Sequence, residues 1–175
     1  MKKLDREIMK SLVREIKTQS QNSQTLKIKI KEAQKQDFDF NTRYYASRTL
    51  LHYAIIADAC GIINLLVKFG VNPNLCDEKY STPLHMAVTL NRYLVVKELL
   101  KCECDVNIPG EFEQTPLHLA VINGNLDIVE LLVENGADIE LVDEKNNNAL
   151  DYALDEKNEE IYKFLKNEML KKEAK

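Results

Sequence analysis

Apolar residues return along the chain in short, evenly spaced blocks. Ile62, Ile63, Leu65, Leu66 and Val67 make one block; Val95, Val96, Leu99 and Leu100 make the next; Ile128, Val129, Leu131, Leu132 and Val133 make a third. Each has the spacing of a helix with one buried side. Near the start, Leu4, Ile8, Leu12 and Ile16 stand four apart, with Met9 and Val13 beside them and charges between. That pattern predicts an amphipathic helix over 4–17, packed on the first unit that follows it. Residues 18–25 are polar throughout and read as a linker. Residues 26–31 alternate apolar and lysine, which alone suggests a strand. The spacing of the later blocks argues otherwise. One period of 33 aligns Ile30 and Ala33 with Ile63 and Leu66, and Asp39-Phe40-Asn41 with Asn72-Pro73-Asn74. Residues 26–36 are therefore expected to be a helix.

The same period governs a hexapeptide. Thr82-Pro83-Leu84-His85-Met86-Ala87 recurs as Thr115-Pro116-Leu117-His118-Leu119-Ala120. A looser copy begins at Thr49 and includes His52, and a worn one runs from Asn148 to Ala153. Undrifting recurrence at this length marks stacked structural repeats. The motif has a physical reading. Thr82 and Thr115 are good helix N-caps, and Pro83 and Pro116 follow at the first helical position, where a missing N–H costs nothing. Leucine and a small alanine supply the packing face.

In motif and register the chain resembles the ankyrin-repeat family, over about residues 26–167. The resemblance implies an all-α solenoid of helix–turn–helix–loop units within residues 26–170. A degenerate half-repeat at 26–45 precedes three full units at 46–78, 79–111 and 112–144, and a capping unit closes it at 145–170. Residues 1–25 stand before it as helix and linker, and 171–175 follow as a charged tail. The resemblance also implies that His52, His85 and His118 bond backbone groups of their own turn and of the adjoining unit. Asn74 and Asn107 occupy the loop position that hydroxylating enzymes modify in some members.

Certain backbone positions should need positive φ. The turn between paired helices falls at Asp58, Asn91 and Gly124, all tolerant of it, and at Lys157, which is less so. Gly70 and Gly136 end second helices in the left-handed way. Glu103 stands in that place in the middle unit, where local strain is expected. At the loop tips the family has glycine, and this chain has Ser47, Tyr80, Glu113 and Asn146. The last apolar register of the second helices, Val67, Leu100 and Val133, becomes Gln34 before the stack and Lys166 in the fourth unit. Such polar substitutions suit the outer faces of a solenoid.

The net charge of −4 names no class of partner. Its distribution is uneven. Residues 1–35 hold ten Lys/Arg against four Asp/Glu, whereas 127–160 hold twelve Asp/Glu against two Lys. Such a gradient can steer a charged partner or support weak head-to-tail association at low salt. The four cysteines form no disulfide framework, and no apolar run approaches the roughly 20 residues of a membrane span. A reducing, cytoplasmic setting is the simplest expectation. Similar proteins serve as inhibitors, adaptors and effectors secreted by intracellular microbes.

No catalytic constellation, cofactor or metal site is expected. Cys102-x-Cys104 lacks a second pair, and Cys104 takes the register of Val71 and Ala137, as a small buried residue would. The repeats carry no basic stripe for nucleic acid. The expected partner is a protein. The chain is expected to be a monomer, with weak self-association open to it through residues 4–17. The family's partners meet the loop tips and first helices. Residues there that the repeat does not demand are Tyr45, Arg48, Ile56, Lys79, Leu90, Phe112, Ile122 and Asn123. They place the expected protein-binding surface on units one to three.

Overall fold

The computed structural model describes residues 3–18 and 23–173. Among these there are ten α-helices and no strand. The first pair is α1 (Lys3–Thr18) and α2 (Ser23–Gln34). Four more follow: α3 (Leu50–Ile56) with α4 (Ile63–Lys68), α5 (Pro83–Thr89) with α6 (Tyr93–Leu100), α7 (Pro116–Ile122) with α8 (Leu126–Glu134), and α9 (Ala149–Asp155) with α10 (Glu159–Glu173). First helices stack on one another in the order α3, α5, α7, α9, and second helices in the order α4, α6, α8, α10. The lysine alternation at 26–31 lies within helix, as the register requires.

The front of the chain differs from expectation in two ways. Ser23, Gln24 and Thr25, read as linker, belong to the first turn of α2; polar Ser and Thr suit a helix start. Residues 19–22, the rest of that linker, lie outside the described residues. The half-repeat, moreover, is a complete helix pair. Helix α1 packs on both α2 and α3, so it serves as a first helix although it carries no Thr-Pro-Leu-His motif. Met9, Leu12, Val13 and Ile16 are buried. The stripe proposed for self-association is thus used inside the chain, and only Leu4 of it stands well exposed. Lys29 on α2 reaches Glu15 on α1 at 2.6 Å. At the other end, Lys171 and Lys172 are part of α10; residues 174–175 lie outside the described residues.

The core is one continuous seam. Ala54, Ala87, Ala120 and Ala153 are buried along the first helices, opposite Leu66, Leu99, Leu132 and Leu165 on the second. Apolar burial at about 25 cal/mol per Å² outweighs ordering entropy here because each unit closes its neighbour's open side. Gln34 and Lys166 are exposed where Val67, Leu100 and Val133 are half-buried.

The extended loops are stitched in the same register. The side-chain oxygen of Asn41 accepts from the Asn72 N–H at 2.7 Å, that of Asn74 from Asp105 at 2.9 Å, and that of Asn107 from Asp138 at 2.9 Å. Glu140 ends the series. Lys172 from α10 bridges Glu140 and Asp138 at 3.0 and 3.3 Å.

Candidate protein-binding surface

The surface is built from two sets of positions, the hairpin tips before each first helix and the ends of those helices. The histidines hold the two together. In each of three units the imidazole Nδ1 accepts from the backbone N–H of the motif threonine, at 3.2 Å for His52, 3.3 Å for His85 and 3.1 Å for His118. The remaining ring proton is therefore on Nε2. It is donated to a carbonyl of the next hairpin: Ser81 at 3.0 Å, Gln114 at 3.0 Å and Asn147 at 3.1 Å. The threonine hydroxyls lie 2.8–2.9 Å from the same Nδ1 atoms. At Thr82 the hydroxyl also accepts from the His85 N–H at 3.3 Å.

All three rings are buried, and burial pushes each pKa below its ordinary value. For His85 it falls to about 4. Asp77 favours the charged ring of His52 and, less than burial opposes it, that of His85, and Asp143 favours that of His118. The position equivalent to them, beside His85, is Gly110, which carries no charge. Neutral rings donating to backbone are structural ties. Among the described residues no three His, Cys, Asp or Glu group as metal ligands. Worn Asp151 in the fourth motif accepts, among the described residues, only from its own Asn148 N–H, at 3.0 Å.

The hairpins come in two kinds, and they alternate. In the second and fourth, Asp77 and Asp143 cap the tip from within. Asp77 accepts from the N–H groups of Lys79 and Ser81, and Asp143 from those of Lys145 and Asn147. Asp143 also takes the Tyr152 hydroxyl at 2.5 Å. In the first and third, Tyr44 and Gly110 replace the aspartate, and two successive residues turn left-handed: Ala46 and Ser47, then Phe112 and Glu113. Neighbouring hairpins of unlike kind join in pairs, through Glu78 N–H to Ala46 C=O at 3.2 Å and Glu144 N–H to Phe112 C=O at 3.1 Å.

Each glycine-register tip keeps its positive φ without glycine, at Ser47, Tyr80, Glu113 and Asn146. Left-handed backbone costs a residue with a Cβ about 1 kcal/mol. Two aromatic residues stand on such backbone, Tyr80 and Phe112, and Tyr45 precedes the left-handed Ala46–Ser47 pair. Tyr45 is 78% exposed, Tyr80 70% and Phe112 57%. Tyr80 is not among the residues that the sequence singles out, because its position is marked there only as one that lacks glycine; a bulky exposed aromatic in a glycine's place is the signal that names it.

The helix-end positions lie side by side because α3, α5 and α7 pack together. Ile56 and Ile122 are the last residues of α3 and α7; Leu90 and Asn123 cap α5 and α7. The three aliphatic side chains are 37–44% exposed. The Asn123 amide donates to the Val88 carbonyl at 3.0 Å, so it braces the row as well as facing solvent. Arg92 on Asp58 at 2.9 Å and Asn125 on Asn91 at 2.5 Å lock the neighbouring turns. Lys79 is exposed beside Tyr80. Arg48 is turned inward: its Nε lies 3.8 Å from Asp77, and it offers only part of its side chain to solvent.

The expected strain at Glu103 is present, with φ +54°, where Gly70 and Gly136 take +92° and +90°. Cys102 is buried with its Sγ 3.2 Å from the Glu98 carbonyl; Cys104 is half-buried, and burial with Cys102 nearby pushes its thiol up to about 11. No described helix is long and apolar enough to cross a membrane. A family model for ankyrin repeats, in three copies, matches residues 5–110 and 91–175. No curated protein matches the chain.

Proposed function

The chain belongs to the ankyrin-repeat family, whose members are generally protein–protein interaction modules, and we propose that it is a non-catalytic adaptor, inhibitor or effector that seats a protein partner on the hairpin tips and first-helix ends of units one to three. Tyr45, Tyr80 and Phe112 are the anchors in this reading, with Ile56, Leu90 and Ile122 as the apolar floor. Lys79, Asn123 and the exposed part of Arg48 give polar contacts at its rim. Buried aromatics with a polar rim are the usual centre of binding energy in protein interfaces.

One observation carries the reading. Phe112 and Tyr80 hold large, exposed side chains on left-handed backbone, where glycine would relieve the fold. Strain kept at a surface position is a pointer to function. The test is capture of the partner from the native cytoplasm with the intact chain and with the Leu90→Glu/Phe112→Glu variant in parallel. Proteins retained by the first and lost by the second, with the circular dichroism of the two chains superimposable, support the surface. A partner that binds both equally removes it.

A further inference from the structure

The two ends of the stack differ in sign, and each carries exposed apolar residues. Ile55, Val88 and Val121 are wholly buried by the unit that follows them. The residue in their register on α9 is Leu154, which is 62% exposed. Leu170 on α10 is 54% exposed. Around Leu154 the segment 151–160 holds five acids and one lysine, and Asp151, Asp155, Glu156 and Glu160 are exposed. At the opposite end the pair α1–α2 exposes Leu4 at 55% and Ile28 at 50%. Segment 27–35 there holds four lysines and one glutamate. Lys31, Lys35, Arg6 and Arg14 are exposed nearby.

We propose that the acidic segment 151–160, which spans α9 and the start of α10, docks on the basic α1–α2 end of a second copy, continuing the stack from chain to chain. The occupant is a second copy because the complement of each end, in charge and in apolar centre, is the other end of the same chain. Such a contact joins unlike surfaces and leaves one end of each kind free at every step, so copies add one after another into rows, or into a ring where the rotation between copies closes. Attraction between exposed charges reaches roughly 30 Å at about 0.01 M salt and roughly 3 Å at about 1 M. Association should therefore be strong only when salt is low.

The test is sedimentation velocity of the full chain at those two salt concentrations, over a hundredfold range of protein. The expected result is a mass that climbs with concentration at low salt and stays at one chain at high salt. Ile28→Glu blocks one end and Leu154→Lys the other, so each alone should remain monomeric. Mixed in equal amounts they should form dimers and nothing larger, because one intact end of each kind remains. Lys31→Glu/Lys35→Glu and Asp155→Lys/Glu156→Lys are the second pair, lying on exposed helix surface if either leucine or isoleucine change harms folding. One-chain mass throughout, association indifferent to salt or to both blocking pairs, or a mixture that stays monomeric would each overturn the proposal.

Discussion

Gly110 lies directly against His85. A Cβ at Gly110 would stand 2.8 Å from the imidazole Nε2 and 2.9 Å from Cδ2, in the space through which Nε2 reaches the Gln114 carbonyl. The ring is pinned at both nitrogens, so it has nowhere to retreat. Gly110→Ala is expected to destabilise the chain by roughly 1–3 kcal/mol, the usual range for forcing an extra methyl into a packed site. Gly61 is the control: no atom lies within 4 Å of its missing Cβ. Alanine there should be neutral, or should stabilise by up to about 1 kcal/mol through the unfolded chain. Urea midpoints of the two variants should move in opposite directions or differ plainly; equal midpoints would show that His85 yields.

The same histidines make stability depend on pH. Their folded pKa values are depressed by burial, to about 4 at His85, so the folded chain binds fewer protons than the unfolded one. Their contribution is whole above about 6.5, the ordinary histidine value, and is lost as pH falls from there toward 4. For His85 alone the loss is on the order of 3 kcal/mol; His52 and His118 add to it in the same direction. Urea midpoints between pH 7.5 and 4 should fall steadily, and His85→Gln should flatten part of the slope. A flat profile across that window would mean the rings accept protons while folded.

How much of this could be read beforehand depends on where local chemistry repeats. The Thr-Pro-Leu-His motif marks the starts of α5 and α7 because the cap and the proline act within a few residues, and the 33-residue spacing carries the register to α3, which lacks the proline, and to α9, which lacks both the proline and the histidine. Helix α1 has none of these. Its role as a first helix is set by packing of Met9, Leu12 and Ile16 on distant residues, and the 33-residue register does not reach it. The alternation of hairpins was hidden for a similar reason. It depends on whether Asp77 and Asp143, or Tyr44 and Gly110, begin the tip, and on backbone bonds to a neighbour. Arg48 shows the limit for a single side chain: its position on the tip was legible, but its turn toward Asp77 was not.

Glu103 gives a direct measure of backbone strain. It takes φ +54° at the end of the second helix in the middle unit, where the flanking units have Gly70 and Gly136, and its side chain is exposed. Glu103→Gly should raise stability by up to about 1 kcal/mol, the relief of a Cβ in left-handed backbone less the entropy of a freer unfolded chain. The thermal midpoint checks this, and a lower midpoint would mean that the unfolded-state cost dominates.

Cys102 and Cys104 should be slow to react. The thiolate is the nucleophile, and burial pushes both thiols above the ordinary value, Cys104 to about 11. Iodoacetamide at neutral pH should leave both largely unmodified in the folded chain and label them fully in urea. Peptide mass mapping reads the two states, and rapid labelling of Cys104 in the folded chain would show that the middle unit opens locally.

Phe112 separates stability from binding most cleanly. It is 57% exposed, sits at φ +59°, and is followed by Glu113 also at +59°. Replacing it with glycine removes a strained Cβ, while the backbone carbonyl that takes the Glu144 N–H is kept. If the ring served the fold, Phe112→Gly would lower the urea midpoint, as loss of apolar contact does. If the ring serves a partner, the midpoint should hold or rise by up to about 1 kcal/mol, and partner capture should fall by tenfold or more, as loss of an interface anchor does. Tyr80→Gly, at φ +58° and 70% exposed, should behave the same way, whereas Asn146→Gly in the fourth unit should gain stability without losing the partner. That contrast distinguishes a surface on units one to three from general wear along the tip edge.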